Sequence, residues 1–90
     1  MIVELNKLRN QIDTIDQQVL NLLSKRFFLV KKICRFKHKY GLPFYSPDRE
    51  AFILKERSDE AIKLGLSPQF IRDILSQIIN ESMRCISRKE

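Results

Sequence analysis

Tryptophan is absent from this 90-residue chain, which also has only two glycines, three prolines, two cysteines and a single histidine. Cys34 and Cys85 stand outside any C-x-x-C spacing and His38 stands alone, so no recognised metal-ligand set can be assembled. Both cysteines read as free thiols of a reducing compartment. No run of about 18 apolar residues is available to span a bilayer, and MIVELNKLRNQIDTID carries charge too early for a secretion signal. A cytoplasmic location with no membrane partner is expected. There is no phosphate-cradling glycine loop, no Ser/His/Asp grouping and no carboxylate pair, so hydrolysis, phosphoryl transfer and hydride transfer lack their machinery. Catalysis, if present, has to work by binding and electrostatics, without metal or cofactor.

The hydrophobic content of 43% suits one small globular domain, at a length where a single chain buries only a modest share of its surface and gains by associating. A formal charge of +6 calls for an anionic partner: nucleic acid, an anionic membrane or a small polyanion. Nucleic acid is disfavoured, because the aromatic residues lie mostly within apolar runs and form no stacking platform. Lys31, Lys32, Arg35 and Lys39 read as a solvated helix face, with DNA binding as the alternative.

The few breakers divide the chain cleanly. Between Val3 and Tyr40 there is neither glycine nor proline, and Leu5, Leu8, Ile12, Ile15, Val19, Leu22, position 26, Leu29, Ile33 and Phe36 alternate spacings of three and four. That is one apolar seam on a helix over about 3–40, stopped by Gly41 and Pro43. Ser46-Pro47-Asp48 supplies a hydroxyl N-cap, a proline at the first helical position and an acid in the first turn, which predicts a second helix over about 47–64. Ser67-Pro68 repeats the signal for a third over about 68–87. The expected fold is all-α, with one long and two shorter helices in a single domain over 1–90. The first helix, at about 54 Å, is too long for a compact domain of this size. Its uncovered seam predicts a homodimer, with a heterologous coiled coil as the alternative.

Arg26 interrupts the seam, and Lys37 follows 11 residues later, which returns to within about 20° of the same direction three turns along. Two cations on one face of an apolar helix either snorkel or pair with acids, or else form a site for a ligand with more than one negative charge. Arginine offers a fork for a carboxylate and lysine a compact point charge. Arg9 faces about 100° away from Arg26, so it does not easily share such a site within its own chain; it is either a solvated surface arginine or, in a symmetric dimer, reaches the partner's site. Arg49 and Glu50 open the second helix, where the glutamate suits the helix dipole and the arginine does not.

The stretch LRNQIDTIDQQVLNLLSKRFFLVKKICRFKHKYGLPFYSPDREAFIL resembles the all-helical class of chorismate mutase. The likeness extends to NESM in the third helix, and is strongest to the mutase domain at the N-terminus of bifunctional chorismate mutase/prephenate dehydrogenases. LRxxIDxID, LLxxR, the R-x10-K spacing and YxPxRE carry it. The resemblance implies an intertwined homodimer with two active sites, either free-standing or fused to a prephenate dehydrogenase domain in a longer parent. It also implies conversion of the dianion chorismate to prephenate without cofactor or metal. By position, Arg9 from the partner chain and Arg26 grip the two carboxylates and Arg49 supports them. Lys37 donates to the ether oxygen of the breaking bond, Glu50 accepts from the substrate hydroxyl, and Ser82 lies near a carboxylate.

Two positions depart from the family pattern. Ser46 stands where relatives often carry an aspartate on the hydroxyl side of the substrate. Ile86 stands where they carry a Gln or Glu that gives the ether oxygen a second hydrogen bond, and isoleucine has no donor. Lys37 then acts alone, or Arg84, Ser87 or Arg88 substitutes, or activity is reduced. The alternatives to a mutase are an isochorismate pyruvate lyase of the same fold and a weakened mutase kept as a regulatory or interaction domain.

Overall fold

The computed structural model describes residues 1–88, with side chains through residue 84. Three helices follow one another, α1 (Ile2–Tyr40), α2 (Pro47–Lys63) and α3 (Pro68–Arg88), and no strand occurs among the described residues. α1 stops because Gly41 takes the left-handed conformation at φ 66°. The Leu42 N–H then donates to the Lys37 carbonyl at 2.8 Å and the Gly41 N–H to the His38 carbonyl at 3.4 Å, closing the end of the helix. α2 ends in the same manner at Gly65, φ 75°, with the Leu66 N–H on the Ala61 carbonyl at 2.8 Å. Before α3, Ser67 caps as expected, its Oγ accepting from the Phe70 N–H at 3.2 Å.

α2 packs on α3, and α1 meets the rest of the chain through α3. The α2–α3 contact is close because small residues face it: Ala61 is 2% exposed and Ser58 3%, beside Ile79 at 6%. The buried Ser58 hydroxyl donates to the Lys55 carbonyl at 3.1 Å, so it carries no unmet polar group inward. α1 buries no residue completely. Its C-terminal half presents a half-buried stripe of Leu23, Arg26, Phe27, Val30, Cys34 and Lys37. The seam residues Ile12, Ile15 and Leu22 remain 55–63% exposed. Arg26 therefore belongs to the half-buried stripe and not to the outward seam between Leu22 and Leu29.

The expectation of free thiols is corrected at Cys34, which is disulfide-bonded. The spacing rule misleads here because a disulfide needs proximity in space, and Cys34 lies on the stripe turned toward the chain's own packing.

The molecule measures 59 × 28 × 15 Å, with a radius of gyration of 17.0 Å where about 12 Å suits a compact chain of this length. Its accessible surface is 7810 Å², against about 5500 Å² for a globular monomer of its mass. No helix among the described residues is long and apolar enough to cross a membrane.

Candidate active site

The half-buried stripe of α1 carries two of its cations, and each is held by a different part of the chain. Arg26 Nη1 donates to Ser82 Oγ on α3 at 3.0 Å, and the Ser82 hydroxyl in turn donates to the Ile78 carbonyl at 2.8 Å. The serine therefore accepts with one lone pair while its proton is engaged on its own helix, which fixes where Arg26 points. Three turns along, Lys37 Nζ donates to the Phe44 carbonyl at 3.0 Å and makes a long contact of 3.5 Å with Ser46 Oγ. Both acceptors belong to the turn between α1 and α2.

Arg49 enters from the first turn of α2, its guanidinium 5.6 Å from the centre of the Phe52 ring. Burial pushes the Arg26 pKa below the usual arginine value, and the like charge of Arg49 pushes it the same way. Both causes act against the charged form of Arg26. An anion between the two arginines would favour it.

No acid of the chain does so among the described residues. The ion pairs found there are Lys55–Asp59 at 2.8 Å and Arg57–Glu60 on α2 and Arg84–Glu81 at 3.2 Å on α3, each an exposed pair within a single helix. The Lys55–Asp59 pair raises the lysine pKa and lowers the aspartate pKa through their mutual hydrogen bond. Such solvated pairs contribute little to stability. Arg9, Arg26, Lys37 and Arg49 take part in none of them. Glu50 is half-buried in the first turn of α2, which also carries Asp48 and Arg49.

The structure thus brings Arg26, Arg49 and Ser82 into one neighbourhood, and Lys37 and Ser46 into another on the same stripe. It does not bring Arg9 there: that residue is exposed on α1, 17 residues and about 25 Å before Arg26. Ser46 occupies the N-cap position of α2 but makes no side-chain cap bond, which corrects the reading of its hydroxyl as a helix cap. The side chain of Ile86 lies outside the described residues. One participant escapes any reading of side-chain types: the Phe44 carbonyl that holds Lys37 is main chain, and no residue pattern announces it.

The comparison with family models assigns residues 8–85 to chorismate mutase type II. The chain belongs to the chorismate mutase type II family. Among its relatives, the T-protein of Enterobacter agglomerans is 46% identical over 82 residues, 91% of this chain and 22% of the relative. The T-protein of Haemophilus influenzae is 41% identical over 78 residues, 87% of this chain and 21% of the relative. The bifunctional chorismate mutase/prephenate dehydratase of Aquifex aeolicus is 36% identical over 84 residues, 86% of this chain and 23% of the relative. The chain spans about a fifth of the length of these relatives. No solved structure gives a match. The matched residues include both cations of the stripe.

Proposed function

We propose that this chain, as one domain over 1–90, rearranges chorismate to prephenate on the way to phenylalanine and tyrosine. The observation that carries the reading is the state of Arg26: half-buried, next to Arg49, and paired with no acid among the described residues. A dianion is the ligand such a cluster fits. Arg26 holds one carboxylate and the partner subunit's Arg9 holds the other, with Arg49 supporting and Ser82 keeping Arg26 in place. Lys37 faces the ether oxygen, and Glu50 accepts from the ring hydroxyl. The reaction breaks the C–O bond of the enolpyruvyl ether as a C–C bond forms, an isomerisation that moves no proton and needs no cofactor or metal. The protein contributes a compact substrate conformation and a cation where negative charge gathers on the ether oxygen.

The site is complete only in a homodimer. In support, the chain exposes roughly 2300 Å² more than a globular monomer of its mass, in the range that stable dimers bury. Much of it is the α1 seam, and a two-fold pairing of seams covers it isologously. The length of the relatives supports a parent in which a second catalytic domain follows this one. We place the domain in the cytoplasm.

Proton NMR of chorismate incubated with the purified chain tests the reading. Prephenate is the expected product. Absence of turnover at about millimolar substrate overturns it, since enzyme KM values typically lie between about 1 μM and 1 mM. Release of pyruvate from isochorismate, with chorismate left intact, would instead identify a lyase.

A further inference from the structure

We infer that Ser46, acting with the Phe44 carbonyl, is a positioning residue that holds the Lys37 ammonium on target before any ligand arrives. The inference rests on the mutase reading for what Lys37 does, but not for where it is held. A serine at the residue before Pro47 ordinarily accepts from a main-chain N–H in the first turn of its helix. Ser67 does this for α3, accepting from the Phe70 N–H at 3.2 Å. Ser46 does not: its backbone sits at φ −128° and ψ 84°, it makes no cap bond, and its Oγ lies 3.5 Å from Lys37 Nζ. The hydroxyl has been diverted from the helix to the lysine.

The geometry also settles how the ammonium can be used. A lysine ammonium has three donors, fixed in a tetrahedral arrangement about the nitrogen. One donates to the Phe44 carbonyl at 3.0 Å and a second is directed to Ser46 Oγ, which leaves the third for a ligand atom. Lys37 sits on the half-buried stripe of α1, so its aliphatic stem is also restrained. The turn that makes this possible begins at Gly41, whose left-handed backbone brings Phe44 back to within reach of a side chain seven residues earlier. A long, flexible side chain is thereby ordered in advance, and a donor ordered in advance favours the transition state without tightening ground-state binding. Ser46 acts through Lys37, which distinguishes it from a residue that touches the substrate hydroxyl.

The test uses the whole chain as it exists and two substitutions, Ser46→Ala and Ser46→Thr. In ligand-free protein, ¹⁵N relaxation of the Lys37 ammonium should show loss of order in Ser46→Ala, toward the behaviour of exposed Lys31 and Lys32, and recovery in Ser46→Thr. With chorismate, Ser46→Ala should lose about tenfold in kcat, the size of one hydrogen bond to a charged group, with KM within about twofold. Its melting temperature should be unchanged, because no cap is lost. Unaltered order at Lys37 in Ser46→Ala overturns the inference, as does a rise in KM at constant kcat, which would mean direct contact with substrate. A drop in melting temperature with Lys37 order and kcat intact would restore the helix-cap role and also overturn it. A wild-type chain without turnover sinks the mutase reading, and the relaxation measurement still decides whether Ser46 holds Lys37.

Discussion

Replacing Lys37 with alanine should lower kcat by about 10²–10³-fold, the effect of removing one preorganised donor from a developing oxyanion. The expectation follows from how few such donors the chain has to offer. In the rearrangement, negative charge gathers on the ether oxygen as its bond to the ring lengthens, and an ammonium placed there stabilises the transition state more than the substrate. On the proposed reading, position 86 is where a second donor to the ether oxygen is expected, and isoleucine offers none, so the burden falls on Lys37. Lys37 is also restrained by the Phe44 carbonyl, so the loss should fall on kcat more than on KM. Steady-state rates from the decay of chorismate absorbance measure it. A variant within about threefold of wild type would show that the ether oxygen is served by another group.

Arg26→Ala should be as damaging to kcat/KM, by about 10³-fold, yet should leave the fold at least as stable. Truncating one partner of a desolvated charge-assisted pair typically costs about 2–5 kcal/mol of binding. Within the chain itself, however, burial and the neighbouring Arg49 both act against the Arg26 charge, and no carboxylate among the described residues offsets them. Its contact with Ser82 is a single hydrogen bond at 3.0 Å. The substitution removes the repulsion and that bond together, so the melting temperature should hold or rise while activity collapses, the trade expected of a residue kept for function. Calorimetry and kinetics on one preparation check both halves. A marked fall in melting temperature with modest kinetic change would assign Arg26 to structure instead.

The helices were legible because their signals are local. Gly41 and Pro43, then Gly65 and Pro68, stand where the chain breaks, and the uninterrupted three-and-four spacing before Gly41 matches a helix of 39 residues. The unusual length of α1, read against the size of the domain, also pointed to a surface the chain cannot cover by itself. What the period did not separate was two faces of α1. A single seam running through position 26 merges the outward residues Leu22 and Leu29 with the half-buried stripe of Leu23, Phe27, Val30 and Cys34. Only the direction from which α3 approaches distinguishes them, and that is a tertiary fact.

The candidate site was legible to the extent that its members are unusual cations. Arg26 and Lys37 drew attention because charge on an apolar stripe needs a reason, and Arg49 because a helix start does not favour it. Relations between residues were not legible. Ser82 holding Arg26, the Phe44 carbonyl holding Lys37 and the diversion of Ser46 from capping all join positions that local rules treat separately. The bond at Cys34 was hidden for the same reason, since cysteine spacing in sequence says little about distance in space.

If one cationic site is assembled from two chains, with Lys37 from one and Arg9 from the other, variants at these two residues should rescue each other. Arg9→Ala and Lys37→Ala chains, each inactive alone, should complement when co-expressed. Half of the randomly formed dimers then contain one site in which both residues are wild type, so about a quarter of wild-type activity per chain should return. Recovery to that level supports a site shared between the two chains. Activity that stays at the level of the two parents, in a preparation where mixed dimers are demonstrably present, would contradict it.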